Sequence, residues 1–175
     1  MRQTLAIVAA VTLAGVVGAA QSDGQANHFS TKLESYQEVP AVSSPGVGTF
    51  SAHIDDNAQT ISWELEFEGL DGDITMSHIH FGQPGVSGGV MIWICKTTQT
   101  APVGTATCPA GKAGQLSGTI GAADVAGPAS QLVTSGEFDE AVAAIRAGMA
   151  YVNVHTTLVG SGEIRGQLRA GDGHK

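Results

Sequence analysis

The sequence predicts an all-β, antiparallel protein with one short crossover helix. Three observations predict it. Glycine is abundant at 24 residues while aromatic side chains make up only 5% of the chain, a composition of many short strands joined by turns. Two neighbouring segments, 49–55 and 61–68, alternate apolar and polar residues with a period of two, as half-buried strands do. The helical spacing of a mature-chain helix is found at Glu137 to Ala147.

The chain has 175 residues, enough for one domain with a real core. It opens with a positive charge at Arg2, an apolar run from Leu5 to Val17 and the small residues Gly18-Ala19-Ala20. That order predicts a Sec-type signal peptide over 1–20, because the run is short for a spanning helix and lacks its flanks. The remaining divisions expected are a polar, disordered lead-in at 21–27, a domain at 28–169 and a disordered tail at 170–175. The mature chain is therefore expected to be soluble and secreted or periplasmic. Of 8 basic residues one is in the signal, leaving 7 against 16 acidic, a net charge of −9. Such a surface disfavours nucleic acid and anionic membrane, which need clustered Lys and Arg, and suits a cation or a basic partner. Cys95 and Cys108 are an even pair closing a short Pro/Gly/Thr-rich loop, most simply a disulfide in an oxidising compartment, with free thiolate ligands as the alternative.

His28 to Tyr36 alternates loosely around Phe29 and Leu33 and predicts a strand. Pro40 and Pro45 make 37–46 a loop or edge crossing. Phe50, Ala52 and Ile54 then face one way and His53 the other; Asp55-Asp56-Asn57-Ala58 is turn chemistry. Ile61, Trp63, Leu65 and Phe67 oppose Ser62, Glu64, Glu66 and Glu68, completing a hairpin with a core face and a water face. In 74–81 the apolar side switches midway, with Ile74, Met76, His78 and His80 on one side and Thr75, Ser77, Ile79 and Phe81 on the other. Such a switch predicts a bulge or a functional face. Val90 to Cys95 is apolar on both faces and predicts a strand in mid-sheet. Gln115 to Ile120 reads as a short strand and 122–125 as one helical turn. In the helix, Phe138, Val142 and Ile145 share a face, acidic residues occupy the first turn, Arg146 the last, and Gly148 can close it. The final hairpin turns at Val159 to Gly162. Val152, Val154, Ile164 and Leu168 belong to the core, and Tyr151, Asn153, His155, Glu163, Arg165 and Gln167 to an outer face.

His78 and His80 project from the same side of one strand, and Tyr151, Asn153 and His155 from the same side of another. If the two strands are neighbours, three imidazoles converge into a nitrogen set suited to copper or zinc. Without that neighbourhood they are hydrogen-bonded strand residues with no ligand. Asn153 or Glu163 is placed to orient His155, and Arg165 to pair with Glu163 or meet an anion; a solvated, salt-bridged hairpin is the alternative.

Glu38-Val39-Pro40, His78-Ile79-His80-x-Gly82, Cys95 with Cys108-Pro109 ahead of Gly118-Thr119-Ile120, and Tyr151 to Thr156 followed by Gly162 to Gln167 occur in an order that resembles the chordin-type CHRD domain family. The resemblance covers about Phe29 to Arg169, with Ala41 where that family often has a second proline. It implies a single-domain exported protein related to the modules of animal chordins, which antagonise bone morphogenetic proteins. A more distant similarity in layout is to copper/zinc superoxide dismutase, a Greek-key β-sandwich whose copper is held by a His-x-His strand and a late histidine on a valine-rich strand. His78, His80 and His155 are similarly placed, although that family's bridging histidine and zinc ligands are missing. The two resemblances imply a Greek-key antiparallel β-sandwich, immunoglobulin-like or dismutase-like, and a metal-site hypothesis in which His53 is a possible fourth ligand. Three functions follow as expectations: an exported binding module with a histidine site for copper or zinc, a metal-dependent redox or hydrolytic enzyme with Glu163 as its base, or a metal-free domain for an extracellular protein partner. The absence of a nucleophile elbow, a zinc-hydrolase motif or a phosphate loop favours binding over catalysis.

Overall fold

The computed structural model describes residues 26–97 and 101–171, so the expected signal peptide, most of the lead-in and residues 172–175 lie outside it. The elements are β1 (His28–Glu34), β2 (Val47–Asp55), β3 (Thr60–Glu68), β4 (Ile74–Phe81), β5 (Gly89–Lys96), β6 (Ala106–Thr107), β7 (Gly114–Ile120), α1 (Phe138–Arg146), β8 (Ala150–Thr156), β9 (Ile164–Gln167) and β10 (Arg169–Ala170). Hydrogen bonds join the strands in the order β6-β5-β4-β8-β9-β1-β2-β3-β7, with β10 against β1. Every pairing is antiparallel except the two-residue contact of β5 with β6.

This continuous sheet curls so that its two halves share one core. Phe29, Leu33, Phe50, Ile54, Trp63, Leu65 and Phe67 from β1 to β3 form a single cluster with Ile79, Ile92, Ile94, Val152, Val154 and Ile164 from the other half. Large side chains fully removed from water contribute about 1.5–3 kcal/mol each, which is what closes the sandwich. The hairpin of β2 and β3 has the register its alternation demands, Phe50 opposite Leu65 and Ala52 opposite Trp63, with the glutamates of β3 in solvent. Between β9 and β10, Leu168 leaves the ladder and its N–H goes to Ala150 O. The interrupted strand therefore pairs with β8 on one side and β1 on the other, and it is the hinge between the halves.

The chain crosses between halves from β3 to β4, back from β6 to β7, and again from β7 through α1 to β8, the role expected of the helix. Helix α1 buries Phe138, Ala141, Val142 and Ile145. Arg146 in its last turn reaches Asp56 at 2.7 Å, and Gly148, at φ +70°, supplies the left-handed residue that ends it. The expected bulges in β4 are present, with register shifts at Ser77/His78 and Ile79/His80 against β5.

Three expectations change. β5 is not central: among the described residues, beyond it lie only β6 and a bridge from Ile92 to Val125, and its two-sided apolar pattern arises because Trp93 packs on the ring of His78. The lead-in is tied down at its end, where Ala26 O and Asn27 Oδ1 accept from Arg146, and pairing continues to Ala170. The supposed outer face of the last hairpin is buried along the whole of β8 and β9. Loops cross over it, so its polar groups find protein partners instead of water. The cysteines are bonded, Cys95 to Cys108, with Cα atoms 4.9 Å apart. Among the described residues no helix is long and apolar enough to cross a membrane.

Candidate metal centre

Strands β4 and β8 are direct neighbours, and their register fixes the site. His78 lies opposite Asn153, His80 opposite Tyr151 and Met76 opposite His155, so the three histidines share one face of one strand pair. One ring nitrogen from each of His78, His80 and His155 lies within 4.8 Å of the others, a group that could hold a metal ion. His78, His80 and His155 are 3%, 7% and 7% exposed, which removes water as a hydrogen-bond partner for most of their atoms.

Backbone carbonyls set the tautomers. His80 Nδ1 donates to Gly88 O and His155 Nδ1 to Gly160 O, each at 3.0 Å. A carbonyl only accepts, so each Nδ1 carries the proton and each Nε2 presents its lone pair. His78 Nδ1 is 3.1 Å from His155 Nε2. The Nε2 atoms of His78 and His80 are buried with no hydrogen-bond partner. Burial, reinforced by the neighbouring rings of His155 and His80, pushes His78 down to about 2. Burial likewise takes His80 down to about 4 against the opposing bond to Gly88, and it lowers His155. All three are neutral imidazoles at neutral pH, the form a metal ion requires.

The surroundings lock the rings. Trp93 meets His78 edge-on at 4.2 Å and Tyr151 stacks on His80 at 4.7 Å, with interplanar angles of 86° and 3°. Arg165 sets its guanidinium 3.4 Å from the Tyr151 ring centroid, a cation–π contact. The Arg165 Nη2 donates to Val86 O at 2.9 Å, and Gln167 Nε2 to Gly82 O at 3.0 Å and Gly148 O at 2.8 Å. These bonds fasten the 82–88 loop over the histidines. Gly88 N–H donates to Tyr151 Oη at 3.1 Å, so the residue that orients His80 is itself held by the tyrosine stacked on that ring. Glu38 comes from the proline loop to the same buried region. Burial raises its carboxyl to about 7 despite the opposing influence of Arg165 and Asn153, and its Oε1 has no partner.

Asn153 Oδ1 lies 3.1 Å from His155 Nε2. Glu163 does not orient His155. It accepts from Ser44 Oγ (2.7 Å), Asp71 N (2.6 Å), Gly72 N (3.3 Å) and Thr156 Oγ1 (2.6 Å). Burial alone would raise its carboxyl, and those four bonds hold it below its usual value. A carboxylate so occupied cannot serve as a base, and it is a knot between loops. Arg165 does not pair with Glu163 but with loop carbonyls and Tyr151. His53 packs against His28 at 4.4 Å on the exposed side of β2 and takes no part in the cluster. Sequence reasoning gave no site role to Trp93 or Glu38. The signal for Trp93 was present, as it faces opposite to Ile92 and Ile94; Glu38 entered only through the Glu38-Val39-Pro40 motif of the family resemblance.

A family model described as the CHRD domain matches residues 29–168, most of the chain. No curated protein matches it, and no solved structure does, so the dismutase layout adds no argument. The match, the Cys95–Cys108 bond and the adjacency of the two histidine strands fit together. The chain belongs to the CHRD domain family.

Proposed function

We propose that this chain is an exported CHRD-domain binding module whose histidine cluster takes up a copper or zinc ion. The observation that carries the reading is the pair of buried, unpartnered Nε2 atoms on His78 and His80 beside the lone pair of His155. An unsatisfied buried polar group costs about 1–3 kcal/mol, and two of the four such side-chain atoms among the described residues belong to this histidine pair. A cation accepts what those lone pairs offer, and the rings are already neutral and oriented by backbone carbonyls. A bound ion would supply a link between β4 and β8 at the nitrogens of His78, His80 and His155. Binding is favoured over catalysis because the one carboxylate expected as a base, Glu163, is committed to four donors. Export is supported by the leader pattern at 1–20 and by a disulfide, which persists in oxidising compartments.

The test is calorimetric titration of the chelator-treated protein with Cu(II) and Zn(II), alongside His78→Ala and His155→Ala. The expected result is one site with submillimolar or tighter affinity in the wild type, weakened in both variants. No binding, or binding indifferent to both substitutions, removes the metal and leaves a protein-interaction domain.

A further inference from the structure

Resting on that histidine reading, we infer that the side-chain carbonyl of Asn153 is a fourth donor to the ion, which makes the centre a closed set of three imidazole nitrogens and one amide oxygen. The register puts it on the same face as the three rings. Asn153 is directly across from His78, two residues from His155 on the same strand, and next to Tyr151, which faces His80. Cross-strand partners on one face are about 4.5–5.5 Å apart at Cβ, so Asn153 borders the cluster of three rings.

The contact between Asn153 and His155 supplies the second argument. His155 Nδ1 spends its proton on Gly160 O, so the Nε2 facing Asn153 carries a lone pair. Asn153 Oδ1 approaches that lone pair to 3.1 Å. The amide orientation is set from its far side, where Nδ2 and Glu38 Oε1 both crowd Gly162, so that a Cβ there would collide with Glu38 Oε1 and lie 2.7 Å from Asn153 Nδ2. Two acceptors thus meet with no hydrogen between them. Donors bound at about 2.0–2.1 Å to one tetrahedral ion are roughly 3.3 Å apart, so the Asn153–His155 contact has the spacing of shared ligation. With Asn153 in that place, the buried site needs no water ligand to complete four-coordination.

The experiment compares wild type, Asn153→Ala, Asn153→Asp and His155→Ala by Zn(II) competition titration, with paramagnetic resonance of the Cu(II)-loaded proteins. The expected result is an affinity lowered at least about tenfold in Asn153→Ala and raised by a similar factor in Asn153→Asp, whose carboxylate is a stronger oxygen donor. The copper hyperfine coupling should shift in both. In D2O the wild-type Cu(II) protein should show no deuterium modulation from a coordinated water, a readout that holds even where a variant folds poorly. Affinity and hyperfine coupling within twofold of wild type in both Asn153 variants, or strong water modulation in the wild type, overturns the assignment of Asn153. Such a result with binding still lost in His155→Ala leaves the histidine site standing. A wild type that binds neither ion overturns both.

Discussion

Acidifying the metal-free protein sets three buried histidines against one buried glutamate, and the structure says which side wins. His78 and His80 take up protons at about 2 and about 4 in the folded chain, against 6.5 in the unfolded one. Below pH 6.5 the unfolded state therefore binds more protons, and stability falls as pH falls. Between pH 6.5 and about pH 5.5, each of these two rings removes about 1 kcal/mol of stability, and His155, lowered by the same burial, acts in the same direction. Glu38 opposes them. Its folded carboxyl is protonated near 7 and its unfolded one at 4.5, so its contribution is fully present below 4.5 and is lost as pH rises through about 7. Over the same unit of acidification it returns about 1 kcal/mol. The wild type should lose at least about 1 kcal/mol and Glu38→Gln at least about 2 kcal/mol. Urea unfolding followed by tryptophan fluorescence in chelator at stepped pH measures both slopes. Stability that is flat or rises on acidification in Glu38→Gln refutes the neutral buried rings, and equal slopes in the two proteins refute the role given to Glu38.

Three further outcomes are expected. Glu163→Gln breaks a carboxylate that receives four hydrogen bonds and should cost about 3 kcal/mol at neutral pH, the deficit shrinking as pH falls below the ordinary carboxyl value of 4.5; thermal melts at two pH values check it. Gly88→Ala drives a methyl group into Phe81 O, so the loop must shift and the Gly88 carbonyl leaves His80; the loss should be about 1–3 kcal/mol, with a changed His80 ring signature in nitrogen-detected NMR. Reducing Cys95–Cys108, which are 13 residues apart in sequence, should lower stability by about 3 kcal/mol, read from denaturant midpoints with and without reductant, and an unchanged midpoint contradicts the loop-closure account.

Local chemistry made much of the fold legible. The β2–β3 hairpin follows from alternation, because a period-two strand with one apolar face has a single register that buries it. Helix α1 follows from Phe138, Val142 and Ile145 sharing a stripe. The bulges of β4 are visible in the apolar side that changes over between Met76 and Ile79. Misreadings arose where a residue's surroundings come from distant chain. Tyr151, Asn153, Arg165 and Gln167 look solvent-facing by alternation and are buried, because the 82–88 loop lies across them. Glu163 looks like a partner for His155 by proximity in sequence, yet its donors come from Ser44, Asp71 and Gly72.

The longer strands, the helix and the two segments that carry histidines on one face follow from local pattern. That those segments are neighbours, that the cysteines are bonded, that Gly88 and Gly160 turn the rings and that His53 stands elsewhere follow from the packing of distant chain. Alternation is a property of the local backbone and can be read residue by residue. Convergence of side chains depends on which remote strand comes to lie alongside, and that is settled by burying a shared core.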